Sequence, residues 1–175
     1  TTAWNSDVEW PQQPGPKTSV HSFSFNTNDT MYHLASGAIP GETIGQFALN
    51  EHGDELRIAT TRNVDGISES AVTILTAGDN RTYNVLGEVG GLGLTERIYA
   101  VRYIGDLAYV VTFRETDPLY VVDLTDPTQP FAAGELKIPG YSSYLHPIAD
   151  GKLLGIGQDA DDRGRTLGTQ LSLFD

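Results

Sequence analysis

Between residues 96 and 140 the chain is cut by turn chemistry into four short β-forming runs, and no other feature limits its fold as strongly. Ile98 to Tyr103 is rich in β-branched and aromatic residues and stops at Ile104-Gly105-Asp106, a tight turn into Leu107 to Phe113. Arg114-Glu115-Thr116-Asp117-Pro118 then breaks the pattern, Leu119 to Leu124 restores it, and Asp126-Pro127-Thr128-Gln129-Pro130 breaks it again. Phe131 to Ile138 completes the set before Pro139-Gly140. Proline fixes φ and offers no donor, glycine reaches positive φ, and Asp or Thr side chains bond nearby backbone. None of these junctions can continue a hydrogen-bonded ladder, so the stretch predicts one four-stranded antiparallel sheet.

The same succession recurs along the chain. Ser19 to Phe25 and Tyr32 to Ile39 form a pair. Ile44 to Leu49, Leu56 to Thr61, Ala71 to Thr76 and Thr82 to Val89 form a second set of four, and Ser143 to Ile148, Leu153 to Gln158 and Gln170 to Phe174 a final three. Gly53-Asp54, Gly105-Asp106 and Asp150-Gly151 close the first hairpin of each set, while Gly37, Gly87 and Gly134 sit in the fourth strand. A period of about 45 to 50 residues made of four antiparallel strands is the signature of a β-propeller, whose blades bury both faces against their neighbours. The fold class predicted is therefore all-β, with about three blades: a half blade at 19–41, blades at 44–89 and 96–140, and a three-stranded partial blade at 143–175. Residues 1–18, with two Trp and three Pro, read as a loop left over from a connection between second and third strands.

With the strands of a blade called A to D, the chain runs C-D, A-B-C-D, A-B-C-D, A-B-C. Closed propellers take about four to eight blades, so this one is expected to be an incomplete propeller, a piece of a larger one. A second expectation is an edge-to-edge homodimer in which the C-D pair of one copy completes the A-B-C set of another. The chain does not begin with Met, so residue 1 is read as a processed terminus or a cut within a longer protein.

The formal net charge of -12 argues against nucleic acid and anionic membrane surfaces as partners, because no run of Lys or Arg offsets it. With no Cys, a disulfide framework and a thiolate metal site are excluded. No apolar stretch approaches bilayer length, so membrane insertion is not expected.

The order of VTFR, DPL, VDL, DP, GELKIPG, YLHP and GIGQ in residues 96–158, preceded by SVHSFSF, SGAIPG and LRIATT, resembles a known family. It is similar to secreted bacterial and archaeal proteins that contain a C-terminal β-propeller domain, distantly related to WD-repeat propellers, over roughly residues 18–175. The resemblance implies a longer parent chain, export from the cytoplasm and a propeller of more blades. It carries no functional residue with it.

Candidate site residues follow from position in the repeat. The B-C connections, residues 1–18, 62–70 and 159–169, read as the long ones, and long loops on a rigid scaffold tend to carry binding residues. Arg62 and Arg114 lie just past strand B of successive blades, with Gln158 at the third equivalent place, a polar ring fit to hold a carboxylate or a sugar. The competing reading is that each Arg pairs with a local acid such as Asp65, Glu69, Glu115 or Asp117. His146 and Arg102 fall on A strands and are expected near the central channel, and Trp4 and Trp10 are candidates for stacking on a sugar or peptide, or for packing on a blade edge. Asp159, Asp161 and Asp162 before Gly164 suggest a calcium loop in composition, although no Glu closes it and Arg163 and Arg165 intrude; a solvated acidic turn explains them as well. No cofactor is otherwise implied, and no catalytic constellation can be assembled.

The function expected is a non-catalytic, extracytoplasmic binding module that recognises a protein or polysaccharide at the cell surface through its long-loop face. The alternative is a hydrolase or lyase using acids and Arg near the channel mouth.

Overall fold

The computed structural model describes residues 15–113, 117–138, 140–149, 151–161 and 165–175. Thirteen strands in these residues form four antiparallel sheets of simple up-and-down order. The first sheet pairs β1 (Lys17–Phe25) with β2 (Met31–Pro40). The second contains β3 (Leu49–His52), β4 (Glu55–Val64), β5 (Ile67–Ala77) and β6 (Tyr83–Leu92), and the third β7 (Arg97–Ile104), β8 (Leu107–Phe113), β9 (Asp117–Asp123) and β10 (Phe131–Ile138). The fourth joins β11 (Tyr141–Pro147), β12 (Leu153–Ala160) and β13 (Thr166–Phe174). Among the described residues no helix is long and apolar enough to cross a membrane.

Between each adjacent pair of sheets lies one apolar layer, which is why the interior strands carry apolar residues on both faces. On β4, Ile58 faces the first sheet, where Val20, Ala35, Ile39, Leu75 and Tyr83 meet it; its neighbour Ala59 points the other way, into a layer with Val72, Ile74, Val101, Val110 and Val122. On β8, Ala108 and Val110 join that second layer, and Val111 joins a third with Ala100, Leu119, Leu145 and Leu153. A strand with period two and both faces apolar fits only between two sheets. The outermost faces lack such cover among the described residues. Phe23, Phe25 and Met31 on the first sheet, and Ile156, Leu171 and Leu173 on the last, are exposed.

Polar bonds also cross the layers. Ile98 N-H donates to the Thr61 hydroxyl at 3.0 Å, and Ser68 Oγ donates to the Glu96 carbonyl at 2.6 Å. The recurrent glycine of the fourth strand has a packing role. A Cβ on Gly87 would lie 2.4 Å from the Pro127 carbonyl and 2.8 Å from Pro130 Cδ, in the turn of the next sheet, and one on Gly37 would touch Tyr83 at 3.0 Å. Gly134, the third of the set, has nothing within 4 Å of that position.

Three expectations about connections are corrected. Residues 62–70 are not a long loop: β4 and β5 continue to Val64 and Ile67 and close on Asp65-Gly66. Both turn residues have positive φ, 51° and 87°, and Asn63 Oδ1 accepts the Gly66 N-H at 2.8 Å, which is the two-residue hairpin turn that an Asp-Gly pair favours. Arg62 and Glu69 stand opposite each other in that ladder and bond across it. The 159–169 connection likewise shrinks to residues 161–165. The third and fourth strands of the two complete sheets are joined by 78–82 and 124–130, so among the described residues the B-C connections are no longer than the C-D ones; the loop expected at residues 1–18 falls, up to residue 14, outside the described residues. The first strand of the second sheet is also displaced. Gln46–Ala48 forms a 3-10 turn, closed by Ala48 N-H on the Gly45 carbonyl at 3.0 Å, and the strand begins at Leu49.

Candidate functional site

The first strands of neighbouring sheets lie side by side, as inner strands around an axis must. Bulges reset the register at Ile98/Ala100 on β7 and at Ser142/Tyr144 on β11. Beyond them the alternation sorts the residues: Val101 and Tyr103 pack toward the second sheet, while Ala100 faces the fourth, and Arg102 reaches it with a bond from Nε to the Leu145 carbonyl at 2.8 Å.

That bond fixes the plane of the guanidinium between two rings. Its carbon lies 4.2 Å from the Phe47 centroid and 5.4 Å from that of Tyr144, and the two rings meet edge to face at 5.8 Å. The ring quadrupoles favour the cation at this place. Tyr144 and His146, two apart on β11, project to the same side; their rings stack at 6.1 Å and 23°, with the Tyr144 hydroxyl 3.2 Å from His146 Nδ1. Phe47 is 41% exposed and His146 is exposed, so solvent reaches the cluster. The 3-10 turn, β7 and β11 thus bring four side chains from three sheets together.

Arg102 differs from the other arginines that are withdrawn from solvent. Arg57, 1% exposed, is 3.2 Å from Glu55 Oε2 and 3.4 Å from Asp106 Oδ1, and donates to the Gly105 carbonyl at 2.8 Å. Arg62 sits 2.8 Å from both Glu69 and Glu88. Burial works to lower the Arg62 pKa, but the hydrogen bonds and charges of those two carboxylates outweigh it and leave the pKa raised. Arg102 pairs with no carboxylate among the described residues, and its two terminal nitrogens keep their donors.

The sequence candidates therefore divide. Arg102 and His146 come together. Arg62 follows the competing reading, bound by Glu69 and Glu88 within its own sheet. Gln158 is exposed on β12, opposite Tyr141 in register. Asp161 accepts from the Arg165 backbone at 2.9 Å and its guanidinium at 2.7 Å, so it holds its own turn; Asp159 is partly buried at the end of β12. No group of three or more His, Asp or Glu residues suited to a metal occurs among the described residues. Trp4, Trp10, Arg114 and Asp162 lie outside those residues.

Two members of the cluster escaped sequence reasoning. Phe47 was hidden in a segment read as strand, and Tyr144 looked like an ordinary strand aromatic. The usable signal was Tyr144-x-His146 on an inner strand, where alternation puts both side chains on one side.

Sheets packed face to face, with their first strands innermost, define a propeller. The chain belongs to the β-propeller domain family, whose model matches residues 3–175. It is similar to an uncharacterized protein of Methanocaldococcus jannaschii, 43% identical over 143 residues, which cover 82% of this chain and 22% of that protein. It is also similar to an uncharacterized protein of Archaeoglobus fulgidus, 44% identical over 159 residues, covering 91% of this chain and 23% of that protein. The chain thus spans less than a quarter of the length of these curated relatives.

Proposed function

We propose that this chain is a non-catalytic binding module, part of a larger exported β-propeller, that recognises a protein or polysaccharide outside the cytoplasm. The single observation that carries this reading is Arg102: a half-buried guanidinium oriented by Leu145 and two rings, beside exposed side chains, with no carboxylate partner among the described residues in a chain of net charge -12. An arginine is a strong donor fork for carboxylates, and holding it in place before the ligand arrives reduces the entropy lost on binding. The recognition surface in this reading is the inner-strand cluster rather than the Asp65-Gly66 turn, which is a two-residue hairpin connection.

Export rests on the family resemblance, and the larger propeller on two supports. The exposed apolar faces of the first and last sheets suit further blades, and the similar proteins are more than four times as long as the stretches matched. The alternative, a hydrolase or lyase, would draw on acids and Arg near the channel mouth; of these, Glu69 and Glu88 are engaged by Arg62. The test is to probe glycan and peptide arrays with the chain and its Arg102→Ala variant while monitoring product. The reading expects retention that depends on Arg102 and no turnover. Cleavage of any retained compound contradicts the non-catalytic claim.

A further inference from the structure

We infer that the Phe47, Arg102, Tyr144 and His146 cluster takes one uronic acid residue of an otherwise uncharged glycan, an assignment that rests on the binding reading above. Three properties narrow the ligand. The terminal nitrogens of Arg102 match the two oxygens of one carboxylate, and the Leu145 bond uses only Nε, so that fork remains available. Beside the fork, the partly exposed rings of Phe47 and Tyr144 supply apolar surface against which the C-H face of a pyranose can lie.

The third property separates a sugar from a simple carboxylate. The Tyr144 hydroxyl and His146 Nδ1 share a hydrogen bond, and this pair offers both donor and acceptor capacity. A sugar hydroxyl can use both at once. The carboxylate of a peptide side chain accepts only, so a peptide would need a backbone N-H at the same place to engage the acceptor half of the pair. Charge sets the number of uronates: at net -12 the protein repels a polyuronate at long range, whereas an isolated uronate among neutral sugars meets the local guanidinium with little opposing field.

Calorimetric titration of the 175-residue chain with methyl glucuronide, methyl glucoside and an acetylated acidic dipeptide tests the assignment. The glucuronide is expected to bind about 10- to 100-fold more tightly than the glucoside, the range for a charge-assisted hydrogen bond. Arg102→Gln, which removes both the charge and the fork, should erase that difference and leave the glucoside unchanged. Tyr144→Phe should weaken both sugars. Melting curves of both variants verify that they fold.

Each other outcome has a separate meaning. Equal binding of glucuronide and glucoside, or tighter binding of the dipeptide, overturns the uronate assignment and leaves the module reading standing. A glucuronide preference that survives Arg102→Gln overturns the location. Failure of all three probes overturns the assignment, and if the arrays are also blank, the module reading falls with it.

Discussion

Replacing Arg57 tests how strongly neighbouring blades are clamped. Its guanidinium, at 2% side-chain exposure, reaches from β4 to the turn at Gly105-Asp106 of the next sheet. Arg57→Met keeps an apolar stem but removes the part-buried, charge-assisted bond to the carbonyl of the exposed turn residue Gly105, worth about 1–2 kcal/mol. It also leaves Glu55, 20% exposed, without its cation, while Asp106, 52% exposed, turns to water and contributes only about 0.2–1 kcal/mol. Together these predict a loss of about 2–3 kcal/mol, below the range for breaking a fully buried pair because one partner is half solvated. Arg57→Ala removes the stem as well and should lose about 4 kcal/mol. Urea denaturation followed by far-ultraviolet circular dichroism measures both. A loss under 0.5 kcal/mol for Arg57→Ala would refute the clamp, and an Asp106→Ala effect as large as that of Arg57→Met would refute the partition among its partners.

Gly87→Ala should destabilise by about 1–3 kcal/mol because its methyl group meets the Pro127 carbonyl, whereas Gly134→Ala should be neutral or slightly stabilising; thermal melts compare them. In a longer chain carrying the next outer strand, the Gly134 substitution is expected to become costly, and unchanged melting there would count against a further blade seated on it. The exposed faces of the first and last sheets predict concentration-dependent association of the isolated chain; sedimentation should show it weakened by Phe25→Ser or Leu171→Ser, and a monomer at every concentration contradicts both the homodimer and the sticky-face argument. The Asp126 carboxyl is held below its ordinary 3.8 by the Thr128 hydroxyl and backbone N-H. Its stabilising contribution is therefore complete above about pH 4 and lost as pH falls through the lowered value. Carboxyl-resolved NMR titration should find that value raised by Thr128→Ala, and no change would remove the cause assigned here.

Sheet order, blade membership and most strand positions were legible because turn residues act locally. The Asp126-Pro127 turn and the Gly105-Asp106 hairpin state their own geometry. The B-C connections misled for the same local reason. Asn63 to Ser70 is polar enough to read as loop, yet Ser68 is polar because it bonds the Glu96 carbonyl and Glu69 because it holds Arg62, while the decisive Asp65-Gly66 pair occupies two residues of eight. Side-chain assembly was legible only in part. Placing Arg102 and His146 on inner strands needed only the repeat; joining them to Phe47 and Tyr144 depended on two bulges and a 3-10 turn, which no period reveals. Arg62 and Arg102 look alike in sequence, and what distinguishes them is how many carboxylates the packed sheets bring within reach.

The claim on which the function depends is that ligand meets the inner strands at Arg102. Backbone amide chemical-shift mapping with methyl glucuronide tests it directly. The account predicts changes concentrated at residues 46–48, 101–103 and 144–146, absent in Arg102→Gln. Changes centred instead on the turns around Arg62 or Asp161, or none at saturating ligand, would contradict it.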